Sequence, residues 1–528
     1  MNINVRQIAC LFAAMFVSPH LYALPPRVQL EEGVVQGSSS RTVSAFLGIP
    51  FAAPPLGDLR WRPPQPPARW AGVRKADRFG ASCTQERVPA DHGLGPWTAE
   101  YWVSGPVDED CLYLNVWTPA KTAAGRLPVL FWIHGGGFNQ GSSSVPIYDG
   151  ASLAARGLVV VSANYRVGVY GFLAHPELRS DAGPEGTGNF GLRDQIAALR
   201  WIQKNVTVFG GDPAHVTIAG QSAGAASVHD LILSPLARGL FQQSIAQSGS
   251  GMGIPLPSSS TAEHNGVQFA QAAGVKSISG LRKLSTIQLS EALRKFSHGE
   301  MFGGRSFTPY ADGVLLPTDP DSAARSGHFN DTPMLTGLTN DEGSALSPDY
   351  RILDPAEFRT ALEKRYGKDW RMFEAIYPPD RAESAGPQLS RDRGIAAMLL
   401  WTEQRNQTGK FPVYCYLYSH PEPGTDSARY GVFHSSEIPY VFNTLDKSPD
   451  RPFAADDGEI ANTMGRYWVN FVTTGNPNGP GLAAWPKCDR KGRIMELGQR
   501  FESRAALTRQ QSQLFHEYVR RGGQLSLF

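Results

Sequence analysis

The chain has 528 residues, with 50 Lys and Arg against 48 Asp and Glu for a formal charge of +2, and is 41% hydrophobic and 19% charged. That balance suits a globular protein with a sizeable core. It gives no support to nucleic-acid binding, since there is neither a basic tract nor a zinc-ligand spacing.

The N-terminus reads as an export signal. Arg6 precedes an apolar run, residues 8–17, of the length of a signal core and too short to span a bilayer. Cleavage after Ala23 is expected, which makes 1–23 a signal peptide and 24–528 the mature, secreted or periplasmic chain. Cys10 lies ahead of most of the apolar run, which argues against lipid attachment there. No later segment is apolar for long enough to form a membrane span. Four cysteines then remain, Cys83, Cys111, Cys415 and Cys488. An even number in an oxidising compartment suggests disulfides.

Past the signal, 27–30 and 33–36 are short strand-like runs, followed by a Pro/Gly-rich turn region and a loop-rich stretch to about residue 105. Residues 127–133 and 158–164 are apolar runs of the kind buried at the centre of a sheet. Residues 191–206 have helical spacing, with Leu192, Ile196, Leu199 and Ile202 on one face. A short strand is predicted over 216–219, and further ones over 333–338 and 412–418. Residues 254–306 read as a polar-rich helical insertion over the sheet. Strands alternating with helices predict an α/β fold with a mostly parallel sheet covered on both faces. The 55 Gly and 40 Pro fit such a long-looped protein better than a helical bundle.

Gly220-Gln221-Ser222-Ala223-Gly224 matches Gly-x-Ser-x-Gly. A β-branched strand enters it and a small-residue helix, 223–231, leaves it. Such an elbow exposes a serine hydroxyl on a sharp turn, and glycines two before and two after keep side chains from colliding across it. The helix N-terminus brings its dipole near developing negative charge. A serine hydroxyl also needs a base and donors for the oxyanion. Residues 131–138 are a buried strand ending in His134-Gly135-Gly136-Gly137, whose bare backbone could approach a substrate oxygen. A phosphate loop is excluded because no Gly-Lys-Ser/Thr follows.

The chain resembles the type-B carboxylesterase and cholinesterase family. The resemblance is carried by Gly48-Ile-Pro-Phe, Glu109-Asp-Cys-Leu-Tyr-Leu-Asn-Val, His134-Gly-Gly-Gly-Phe, Asn164-Tyr-Arg-Val-Gly and Gly188-Asn-Phe-Gly-Leu-Arg-Asp-Gln. It continues through Phe209-Gly-Gly-Asp-Pro, Gly220-Gln-Ser-Ala-Gly, Gln247-Ser-Gly-Ser and Gly475-Asn-Pro-Asn-Gly, in the family's order over nearly the whole mature chain. It implies a single α/β-hydrolase domain over 24–528 with insertions above an active-site gorge. By resemblance Ser222 is the nucleophile, Glu342 in Asn340-Asp-Glu-Gly the acid, and His434 in Val432-Phe-His-Ser-Ser-Glu the base. Asp341 is the competing acid. His420 and Glu437 read as structural. The order Ser, Glu, His is that of the α/β-hydrolases. Gly136, Gly137 and Ala223 would supply the oxyanion N–H groups. Cys83 and Cys111 look like the family's first disulfide, while a pairing of Cys415 with Cys488 stays open. Arg60 with Glu109, and Arg166 with Asp194, read as structural ion pairs. Gln221 stands where many members have glutamate, and Ser435 where many have glycine, which makes choline-type specificity a poor default.

The expected activity is hydrolysis of a small-molecule carboxylic ester through an acyl-serine, with no metal or organic cofactor. The alternatives are a binding or adhesion module that has lost catalysis, and a lipase or amidase using the same triad. Specificity is expected in loops within 87–106, 251–307 and 349–400, with Trp97, Tyr101, Trp102, Phe302 and Trp401 as candidate lining aromatics.

Overall fold

The computed structural model describes residues 26–87, 95–181, 188–249, 256–297, 307–347, 350–424, 426–489, 492–525 and 527. Residues 1–23, read from the sequence as an expected export signal, and Phe302 lie outside these. Eleven strands form the main sheet: β1 (Ser38–Ser39), β2 (Ser44–Pro50), β3 (Tyr113–Thr118), β4 (Leu127–Ile133), β5 (Val159–Ala163), β6 (Gly211–Gln221), β7 (Gln243–Gln247), β8 (Met334–Thr339), β9 (Val413–Tyr418), β10 (Arg493–Leu497) and β11 (Phe501–Ala505). Their order across the sheet is β11-β10-β9-β8-β7-β6-β4-β5-β3-β2-β1. From β10 to β5 every neighbouring pair is parallel, while β1 to β3 and β11 pair antiparallel at the two edges. The apolar runs lie at the centre, as their unbroken hydrophobicity requires.

Two cores follow from the two-residue period of a strand. Val129, Phe131 and Ile133 of β4 point into one cluster, with Leu192, Ile196 and Leu199 of helix α1 (Phe190–Asn205). Leu130 and Trp132 point into the other. Against them lie Met464, Trp468 and Phe471 of α4 (Ala455–Thr474), with α2 (Ala223–Leu233) and α3 (Ala382–Thr408) preceding it in the chain.

The runs at 27–30 and 33–36 form strands Arg27–Gln29 and Val34–Gln36, in a separate three-stranded sheet with Val73–Lys75. The strand predicted over 216–219 is longer, because Gly211 also pairs with Leu127 ahead of a register shift. The insertion carries helices Ser259–Ala272, Ile278–Arg282 and Thr286–Phe296, each started by a serine whose side chain accepts a backbone N–H. Most of 349–400 is helical too, in Pro355–Tyr366 and α3, and is not loop. Among the described residues no helix is long and apolar enough to cross a membrane.

The sheet register sets up the chemistry. Ile133 pairs with Gly220, Gln221 with Gln247, and Gln247 with Gly337, so β4, β6, β7 and β8 end level with one another. The segments leaving these strands therefore meet at one edge of the sheet, the carboxyl edge where open α/β sheets bind ligands.

Candidate active site

Strand β6 runs directly into Ser222, whose φ of 59° and ψ of −125° lie where a side chain is strained. Both neighbouring elements hold it there. Its N–H donates to Gln247 O at 2.9 Å, and its carbonyl accepts from Ala226 N at 2.9 Å. The flanking glycines are sterically required. A Cβ on Gly220 would lie 2.4 Å from the backbone of Gly224, and one on Gly224 would lie 2.1 Å from Ile133 O.

The segment after β4 crosses beneath this turn. A Cβ on Gly135 would stand 3.0 Å from that of Ser222. Gly136 and Gly137 have φ of 106° and 62°, a path open to glycine. His134 anchors the segment: its ring stacks on Tyr165 with centroids 4.3 Å apart, and its carbonyl accepts the Tyr165 hydroxyl at 2.9 Å. Burial pushes the His134 imidazole down to about 4, so it is neutral at ordinary pH. Ala223 is the first residue of α2, and its N–H has no carbonyl four residues back within the helix.

Glu342 follows β8 by three residues and is buried. One carboxylate oxygen accepts from Thr339 N at 2.8 Å, Thr339 Oγ1 at 2.9 Å and Ser248 Oγ at 3.0 Å. Those three donors fix the carboxylate and leave its other oxygen for Nδ1 of His434, with which it is hydrogen bonded. Asp341 points elsewhere: it accepts from Tyr350 OH at 2.6 Å and from Val432 N at 2.9 Å. It thereby ties the acid's segment to the histidine's. The His434 carbonyl accepts from Trp97 Nε1 at 3.1 Å, and Gln221 Nε2 lies 3.1 Å from His434 Nε2.

Glu437 is buried beside these groups, accepting from Gln247 Nε2 at 3.0 Å, and burial pushes its carboxyl up to about 7. His420 pairs with Asp457 at 2.7 Å, and Asp457 also accepts from Tyr440 OH at 2.6 Å. The expected ion pairs are present. Arg60 Nε reaches Glu109 at 2.7 Å, and Arg166 binds both oxygens of Asp194 at 2.8 Å.

Ser222, His434 and Gly135, Gly136 and Gly137 line one cavity of about 310 Å³. One side of its wall is aromatic and apolar, with Trp97, Tyr101, Trp102 and Tyr148 joined by Val103, Val145 and Leu346, and Gln85, Glu86 and Arg87 add polar groups to the lining. Trp401 is no part of that wall; it packs edge-on against His229, with centroids 4.7 Å apart. Among the described residues, nothing from 251–307 or 349–400 lines the cavity. Tyr148, Val145 and Gln140 were not read from the sequence; their only signal is that they follow the glycine run closely. The wall is clamped by Arg451, which the sequence did not mark. It donates to Glu100 at 2.8 Å, Pro96 O at 2.7 Å and Thr98 Oγ1 at 2.8 Å, and pairs with Glu422 at 3.3 Å. Glu422 in turn accepts the Tyr101 hydroxyl at 2.9 Å.

Cys83 and Cys111 form a disulfide across 28 residues. Cys415 and Cys488 are buried free thiols, so the pairing left open by the sequence is not formed. Cys415 sits on β9 in the core, with Thr402 Oγ1 3.7 Å from its sulfur.

The family model for the carboxylesterase family matches residues 24–515. The chain is 36% identical over 497 residues to a fumonisin B1 esterase of Sphingopyxis macrogoltabida, covering 90% of this chain and 86% of that one. It is 32% identical over 524 residues to a liver carboxylesterase of Sus scrofa, covering 90% of each. To a cocaine esterase of Homo sapiens it is 33% identical over 481 residues, covering 86% of this chain and 83% of the other.

Proposed function

We infer the mechanism below from one premise: the chain belongs to the carboxylesterase family and is a carboxylic ester hydrolase of the α/β-hydrolase fold. The relatives are named as esterases, which leaves the alternative of a binding module unfavoured. In the proposed reaction His434 takes the proton of Ser222 as its oxygen attacks the ester carbonyl. Glu342 orients the imidazole and balances its positive form. The N–H groups of Gly136, Gly137 and Ala223 hold the oxyanion, each worth about 2–4 kcal/mol in the transition state. His434 returns its proton to the departing alcohol, leaving an acyl-serine. Water, deprotonated by the same histidine, then releases the acid.

The observation that carries this reading is the chain of contacts from Thr339 and Ser248 through Glu342 to His434, ending in the cavity that Ser222 lines. Small-molecule esters with a bulky apolar part suit the aromatic wall. The disulfide suits export to an oxidising compartment, secreted or periplasmic, after loss of a signal peptide over 1–23. The test is turnover of a short-chain nitrophenyl ester by the wild type and by Ser222→Ala. A loss of at least about a thousandfold is expected, and equal rates would sink the assignment.

A further inference from the structure

Gln221 ends inside the reaction centre. It is buried, and its amide nitrogen lies 3.1 Å from Nε2 of His434. Its carbonyl end faces Gly135, where a Cβ would come within 3.2 Å of the oxygen. His434 turns Nδ1 to Glu342. With its N–H given to that carboxylate, the imidazole carries a lone pair on Nε2, and the Gln221 amide donates to it. That lone pair is the one that must receive the Ser222 proton.

We propose that Gln221 is a positioning residue for the general base: its amide N–H holds His434 in the neutral, Nδ1-protonated form and is displaced from Nε2 when the Ser222 hydroxyl delivers its proton. This inference rests on the triad reading above. The physical reason is the sign of the donor. An N–H can bond to a neutral imidazole nitrogen but finds no acceptor on an imidazolium. A carboxylate of the same length does the reverse, favouring the charged ring. Glutamine therefore favours the neutral ring from which acylation starts and contributes less than a carboxylate would to the imidazolium that forms.

Other charged or titratable groups surround the ring. Glu342 holds Nδ1, Glu437 lies three residues along, and Asp341 holds the Val432 N–H. Arg451 stands 5.8 Å from the Phe433 ring, and Glu86, Arg87, Tyr101 and Tyr148 line the cavity. All of these are common to the wild type and to a Gln221 variant, so Q221M against the wild type isolates the amide, while Q221E adds a negative charge at the same point.

The test is the pH profile of kcat/KM on a short-chain nitrophenyl ester for wild type, Q221E and Q221M. The rate at which a soluble organophosphonate labels Ser222 is measured over the same pH range. In Q221E the acid limb of both profiles is expected to move up by about one pH unit, about a tenfold loss at fixed pH on that limb. Q221M, equal in length but without a donor, is expected to shift in the same direction by less. Identical limbs in wild type and Q221M would overturn the proposal, since a shift in Q221E alone reports only the added charge. If Q221E fails to fold, Q221M against wild type decides alone. Wild-type turnover by Ser222→Ala would instead overturn the nucleophile assignment, so the two failures are distinguishable.

Discussion

Glu342 is held by three donors on one oxygen, and the two hydroxyls among them can be removed without touching the histidine. Thr339→Val deletes a hydroxyl and keeps the backbone donor. It is expected to lower kcat by about three- to tenfold with little change in KM, because orientation of the carboxylate matters in the transition state. Glu342→Gln should cost far more, on the order of a thousandfold. Steady-state kinetics on one ester separates the two, and a KM effect alone from Thr339→Val would contradict the orienting role. Gly224 offers a purely steric test. A methyl there meets Ile133 O at 2.1 Å, so β4 or α2 must move. Gly224→Ala is expected to lose about 2 kcal/mol or more of stability together with most activity, read by a thermal melt and by turnover. The glycines around Ser222 were legible in the sequence because local sterics dictate their spacing, whereas the donors Thr339 and Ser248 were not singled out there. Glu342 was separated from Asp341 by family resemblance alone, and the reason for the choice is tertiary: Asp341 is committed to Tyr350 and Val432.

At the scale of elements, the sheet and the wall have different origins. The central strands and α1 were readable because unbroken apolar runs and a 3.6-residue stripe have few other solutions. The wall was only partly readable. Trp97, Tyr101 and Trp102 lie on loop and one short turn, where no periodicity reports direction, while Trp401, on α3, was misplaced because an aromatic residue marks burial, not a destination. The clamp at Arg451 was invisible because its partners at Pro96, Thr98 and Glu100 lie some 350 residues away in sequence. Arg451→Met should loosen the 96–101 segment and leave Glu100 buried without its cation. The expected result is a raised KM for bulky esters, a smaller effect on acetyl esters, and a lowered Tm. Equal effects on both ester classes would argue against a wall-specific role. The disulfide at the wall's ends closes a 28-residue loop, worth about 3–4 kcal/mol by loop entropy. Cys83→Ser is expected to lower Tm by a corresponding amount, and added reductant should do the same to the wild type but not to the variant.

For the whole molecule, several buried groups set how stability depends on pH. Burial raises Glu437 to about 7 and both Glu422 and Asp230 to about 8. Such a carboxyl keeps its proton in the folded protein where the unfolded chain has lost it, so stability falls as pH rises from about 4 to the folded value. His134 and His229, lowered to about 4 by burial, act oppositely: stability rises with pH between 4 and 6.5. The two effects compete below pH 6.5, and above it only the carboxyls act. Tm is therefore expected to fall between about pH 6.5 and 8.5, and Glu422→Gln should flatten part of that fall. A Tm that is level or rising over this range would refute the assignment of these carboxyls. The division between a rigid strand edge and a tethered wall also bears on how such a protein can change. Ser222, His434 and the glycine run take their places from the sheet. Trp97, Tyr101 and Trp102 lie between Cys83 and Cys111, in a segment held by the disulfide at its ends and by Arg451 at 96–100. Three of the four wall aromatics come from the stretch between Cys83 and Cys111, so changes at Tyr101 and Trp102 there alter what is admitted, while Trp97 couples the same stretch to the His434 carbonyl.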